Sequence, residues 1–186
     1  MMTNTENKKK KGTIDMAYIA IGSVLIAICS WISIPVIVPF TLQTFAVFLL
    51  IMVFGGMKAT CSVAIYILLG AVGLPVFASF GAGIGVLFGK TGGYIIGFLL
   101  MGPLYSLITK LCGKKLWVQI TALTAGLLVC YAFGTAWFMY IYMRDTGEVG
   151  LISVLSWCVF PYIIPDAVKM ALAVFISKKF GKRLYH

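Results

Sequence analysis

The sequence predicts an all-α membrane protein: six transmembrane helices with a Gly-rich loop capping an outward-facing pocket. Three observations carry that prediction. Of 186 residues, 61% are apolar and only 11% are charged, whereas a soluble domain carries about a quarter charged residues to cover its surface. Apolar stretches recur from Met16 to Ile176, several of them close to the ~20 residues that cross a hydrocarbon core. The basic residues behind the net charge of +10 sit at the ends of those stretches, where cytoplasmic loops of membrane proteins collect them.

Each element follows in order. Residues 1–13 read as a basic cytoplasmic tail and 178–186 as a second one, flanking a single membrane domain over 14–177. Helix 1 spans about 14–34 and ends before Pro35; it is a retained helix, because no small-residue cleavage site follows Lys8–Lys11. Helix 2, about 41–54, is short and stops at Gly55-Gly56. Helix 3, about 57–73, stops before Pro75 and forms a tight hairpin with helix 2. Helices 4 and 5 cover about 91–112 and 116–142. Helix 6, about 150–177, holds Pro161 and Pro165. Between helices 3 and 4 lies GLPVFASFGAGIGVLFGKTGG (73–93), too broken to span and too apolar to be solvated. Irregular backbone at membrane depth is tolerated only where protein covers it or it lines a cavity. The loop is therefore expected to fold over a pocket, with SIPVIVPFT (33–41) beside it.

Six helices place both termini on one side. That side collects Lys8–Lys11, Lys58, Lys110, Lys114, Lys115, Lys178, Lys179, Lys182 and Arg183, and the other only Lys90 and Arg144. Twelve against two makes both termini cytoplasmic in a multi-pass cell-membrane protein. The same distribution, with no basic stripe on a folded domain, argues against nucleic acid as a partner. A metal site is not expected: the sole histidine is the terminal His186, and the five cysteines lack CxxC spacing and read as small packing residues.

FPYIIPDAVKMALAVF (160–175) places Asp166 and Lys169 inside an apolar run. Each costs about 2.5–3.5 kcal/mol at a helix centre, so such residues mostly mark function. A spacing of three puts both on one helix face, with Tyr162 a turn before. Asp166 lies twelve residues before Lys178, about 18 Å at helical rise, in the outer half of the membrane. Pro161 and Pro165 remove backbone donors from the carbonyls of Trp157 and Pro161, which then want a polar neighbour or ligand. The alternative is a structural ion pair locking helix 6 to its neighbours. Gln43 in the first turn of helix 2, Tyr94 in the first turn of helix 4 and Ser79 in the covering loop are expected at the same depth, with Phe77, Phe80 and Phe88 over an apolar part of the ligand. Helix 1 carries Ala17, Ala20, Ser23 and Ala27 on one face, suited either to internal packing or to docking a partner.

Two apparent nucleotide motifs fail. GVLFGKT (85–91) lacks the first glycine of a phosphate loop, which would be Ile84, and no strand precedes it. Gly83 and Gly85 lack the third glycine of the dinucleotide pattern, where Phe88 stands.

Five stretches in order, PFTLQTFAV (39–47), LLGAVGLPVFASFGAG (68–83), GKTGGYIIGFL (89–99), FGTAW (133–137) and FPYIIPDAVKMALA (160–173), make the chain resemble the BioY family, the biotin-binding membrane subunits of energy-coupling factor importers. The resemblance implies a six-helix subunit that captures biotin from outside as a transported ligand, with no covalent cofactor. It implies three partners besides the lipid bilayer and biotin: a transmembrane coupling subunit and two cytoplasmic ATPase subunits. It makes Asp166, Lys169 and Tyr94 the expected biotin contacts, with Gln43 from the TLQT motif beside them. The family's helix 1 often carries Ala-x-x-x-Ala for docking; here only Ser23–Ala27 has small-xxx-small spacing. Biotin's ureido head offers N–H donors and a carbonyl, which a carboxylate and an ammonium suit.

Other function classes fit less well. A proton-coupled secondary transporter of a small carboxylated solute, using Asp166, would usually show internal repeats, and none is visible. An intramembrane enzyme needs a nucleophile with a base or paired acids, and Asp166 has no second intramembrane acid; no catalytic residue is expected.

Overall fold

The computed structural model describes the backbone of residues 4–184 and the side chains of 12–179. The side chains of Lys8–Lys11, Lys182 and Arg183 lie outside the described residues, as does His186 entirely. Among the described residues the secondary structure is helix, joined by irregular segments, plus one two-residue ribbon in which β1 (Ser33–Ile34) pairs antiparallel with β2 (Phe40–Thr41). The helices are α1 (Asn4–Trp31), α2 (Gln43–Phe54), α3 (Gly56–Ala71), the short α4 (Ile84–Leu87), α5 (Gly92–Cys112), α6 (Leu116–Asp145), α7 (Leu151–Cys158) and α8 (Phe160–Leu184). A single 3-10 turn covers Ala78–Phe80.

Among the described residues, four apolar segments are long enough to cross a bilayer: Gly12–Trp31, Gly92–Cys112, Leu116–Asp145 and Leu151–Lys179. Together they make a multi-pass membrane protein. At 12 and 16 residues, α2 and α3 reach about 18 and 24 Å, short of a ~30 Å core. Gly55 makes their hairpin possible: its φ of +86° belongs to the left-handed region, where a side chain would be strained.

Two expectations change. The apolar run 150–177 is not one helix. It breaks at Val159, between α7 and α8. Pro161 thus falls in the first turn of α8, where a missing N–H costs nothing; only Pro165 lies deeper. The basic tails are also continuous with helices, since α1 starts at Asn4 and α8 runs to Leu184.

The helices pack as a ring. α8 sits on α2, α2 on α1 and α3, α3 on α5, and α5 on α6. α7 packs against both α6 and α8 at one end. The main core centres on α2, α3 and α5, with Phe48, Ile51, Tyr66 and Met101 almost fully enclosed. A second cluster, with Tyr94, Phe138, Val154 and Tyr162, gathers near α7. The 73–93 loop is stitched to the end of α1: Trp31 Nε1 donates to the Pro75 carbonyl at 2.8 Å, and Ser30 Oγ to the Val76 carbonyl at 2.5 Å.

Candidate functional site

The site grows from the one place where α8 carries charge. Asp166 is 2% exposed and Lys169 5%, so both are withdrawn from solvent and lipid and must be satisfied by protein. One turn apart, they meet directly: Lys169 Nζ donates to Asp166 Oδ1 at 2.8 Å. α2, which packs on α8, completes the contact. Its start is set by the TLQT segment, where Thr41 Oγ1 accepts the Gln43 N–H at 3.2 Å. That puts Thr44 in the first turn of α2, where its hydroxyl donates to Asp166 Oδ1 and accepts from Lys169 Nζ, both at 3.0 Å. α6 supplies the other side. Tyr131 donates to Asp166 Oδ2 at 2.5 Å. Phe40, from β2, places its ring 4.2 Å from Lys169 Nζ, a cation–π contact that holds the ammonium without using up an N–H.

Counting partners shows what is left over. A carboxylate accepts about four hydrogen bonds and an ammonium donates three. Asp166 uses three acceptor sites, and Lys169 uses two donors. Both residues line a cavity of about 130 Å³, several times the room one water requires. The cavity draws on most of the ring: Thr44 from α2, Ile95 and Phe98 from α5, Leu127 from α6, Cys158 from α7 and Tyr162 from α8. Val38, Pro39, Phe77, Ala78 and Val86 close it from the two irregular segments. Tyr162 fixes one of these by donating its hydroxyl to the Val38 carbonyl.

Four of the five residues expected at a site line this cavity: Asp166, Lys169, Tyr94 and Gln43. The Tyr94 hydroxyl pairs with Thr135 Oγ1 at 3.0 Å. Its ring lies where a Cβ on Gly134 would come within 2.2 Å of it, so the glycine of FGTAW is a seat for the tyrosine. Gln43 is 4% exposed, and its Nε2 has no hydrogen-bond partner. It lies near the Tyr66 hydroxyl, also without a well-formed bond. Ser79 stands apart. It is exposed in the 3-10 turn with a left-handed φ of 54°, and its hydroxyl is 3.4 Å from Ser33 Oγ rather than in the cavity wall. Of the three phenylalanines, only Phe77 lines the cavity; Phe80 stacks on Trp31 and Phe88 leans on Trp137.

The α1 face divides. Ala17 and Ala20 are exposed, whereas Ser23 and Ala27 are buried within the bundle. Steps of three residues turn back by about 60° each, so a stripe that starts on the outside ends inside. Docking by Ser23 or Ala27 is thereby corrected to internal packing. The cysteine expectation changes similarly: Cys29, Cys130 and Cys158 are buried, but Cys61 and Cys112 are exposed.

Thr44, Tyr131, Thr135 and Phe40 were not anticipated. Thr44 and Thr135 sit within TLQT and FGTAW, so their motifs signalled a site without saying which members reach it. Tyr131 carried no signal beyond a phenol in an apolar helix.

Comparison with known proteins bears on this arrangement. A model of the BioY family matches residues 2–186. The chain belongs to the BioY family. The biotin transporter BioY of Thermotoga maritima is 39% identical over 163 residues, covering 87% of this chain and 92% of that one. A probable biotin transporter BioY of Pyrococcus horikoshii is 40% identical over 142 residues, 76% of this chain and 80% of its own. Among solved structures, the S-component for biotin from an ECF-type ABC transporter superposes with a TM-score of 0.79 at 24% identity, covering 98% of this chain and 95% of that one. That likeness establishes a shared fold. In this BioY chain the buried Asp166–Lys169–Thr44–Tyr131 network is the feature that fold and sequence bring together.

Proposed function

We propose that this BioY chain captures biotin on the non-cytoplasmic side and delivers it inward as the substrate-specific subunit of an ATP-driven energy-coupling factor importer. The observation that carries this reading is the buried Asp166–Lys169 pair in the cavity wall, whose hydrogen bonds within the protein leave one acceptor position on Asp166 and one N–H of Lys169. The N–H and C=O on one edge of a cyclic urea form a matching donor and acceptor side by side. Charge-assisted bonds of this kind are roughly twice as strong as neutral ones. Gln43 also lines the wall, and Phe77, Ile95 and Phe98 offer apolar surface to the fused rings and aliphatic chain.

In this reading α2 and α3 complete six spans by tilting, the two irregular segments cap the pocket on the outside, and both termini are cytoplasmic. The chain has no phosphate-binding loop, so uphill transport falls to a coupling subunit and two ATPases. Ala17 and Ala20, exposed and small on α1, are the positions proposed for gripping that module. Support for the substrate comes from the relatives named biotin transporters.

The test is discrimination between biotin and lipoate, which shares the five-carbon acid chain but lacks the urea. The purified chain should bind biotin, with lipoate at least about a hundredfold weaker, because the site's buried polar groups stay unpaired without a urea. Equal affinity would place recognition on the acid chain and remove Asp166 and Lys169 from the head-group role.

A further inference from the structure

The ring of helices closes between α6 and α8 in one half only, where α7 packs on both. Beyond the Tyr131–Asp166 bond and a Thr124 Oγ1 contact with Met170 Sδ at 3.7 Å, a groove of about 650 Å³ separates the two helices. Its walls are a face of α6 from Ile120 to Tyr131 and a face of α8 from Ile163 to Lys178, with Val159 ahead of it and Leu128, Met170 and Phe175 among the lining side chains. The wall is otherwise apolar, and the Thr124 hydroxyl is occupied with the Ile120 carbonyl. Ala167 and Ala171 keep the floor low, yet no described helix of the chain fills it.

Charge says what does. The α8 wall from Ile163 to Lys178 is about 22 Å long at helical rise, room for an acyl chain reaching past the middle of a ~30 Å core. The groove ends at Lys178, which is exposed, with Lys179 next to it and Lys114 and Lys115 just before α6 at the same end. None of the five acids lies in residues 110–120 or 170–179. Basic residues between helix ends at the membrane surface are an anionic head-group site. We propose that the α6–α8 groove holds one acyl chain of an anionic phospholipid, with its phosphate at Lys178 and the neighbouring lysines. Leu127 and Tyr131 line this groove and the ligand cavity alike, so the chain would lean on the wall that carries the Tyr131–Asp166 bond. The site itself does not depend on which ligand the cavity takes.

The test uses the full chain in phosphatidylcholine vesicles doped with either phosphatidylglycerol or phosphatidylcholine carrying a photoactivatable group on one tail. Adducts should concentrate in peptides covering 120–131 and 163–178, more with phosphatidylglycerol. Ala171→Trp, which fills the floor, should lose most of them while adducts elsewhere persist. Lys178→Gln, at an exposed position where folding is not at stake, should cut the preference for phosphatidylglycerol roughly fivefold. Even labelling along all the long helices, adducts surviving Ala171→Trp, or equal labelling by the two lipids would overturn the proposal. A chain-to-chain crosslink mapped to this groove would also overturn it, in favour of a second copy.

Discussion

Asp166 has three partners from three elements, Lys169 on its own helix, Thr44 on α2 and Tyr131 on α6. A buried carboxylate needs such company, since removing one partner of a buried pair leaves an uncompensated charge. Tyr131 is the most informative of these to alter, because Tyr131→Phe keeps the ring that walls the cavity and removes only the hydroxyl. Hydrogen bonds to charged groups contribute about 1.5–3 kcal/mol, so this variant should bind biotin at least about tenfold more weakly. Titration of the purified variant checks it, and unchanged affinity would reduce Tyr131 to a wall residue. The sequence announced Asp166 and Lys169 because charge in an apolar run is rare. It did not announce Tyr131, whose partner lies 35 residues away; a phenol in a lipid-facing helix is commonplace, and only packing shows which one turns inward.

Helices were legible at this scale wherever length and apolarity agreed, as in α5 and α6. They were misread where the chain bends within an apolar run. Apolarity does not mark Val159 as the break, because the apolar run continues through it; the marker is Pro161, which suits a first helical turn rather than a helix interior. The irregular segments were legible as non-spanning from their glycines and prolines, and both give residues to the cavity wall, but the place of Ser79 followed from a left-handed turn that composition does not encode. Orientation is a property of the elements' ends and can be tested there. With native cysteines replaced, a cysteine at Gly147, between α6 and α7, should react with a membrane-impermeant maleimide in intact cells, and one at Gly113, between α5 and α6, should not. The reverse pattern would turn the cavity toward the cytoplasm and contradict capture from outside.

At the scale of the molecule, α2, α5, α6, α7 and α8 line one buried polar site, and α7 packs on α6 and α8 at the end nearest that site. The class was visible in composition alone, since a chain with 11% charged residues has no means of covering a soluble surface. The order of helices in the ring was not, because pairings such as Thr44 with Asp166, 122 residues apart, depend on tertiary packing. The account stands on one claim, that the α8 pair binds biotin's head group rather than merely locking helices. The direct measurement is calorimetric titration of biotin into the detergent-purified parent and into Asp166→Asn, with monodispersity and melting followed for both. The account predicts saturable binding by the parent and a loss of at least about a hundredfold in the variant, with the variant still folded, because it preserves shape while removing the charge that the urea and Lys169 share. Parent-like affinity in a folded Asp166→Asn would contradict it.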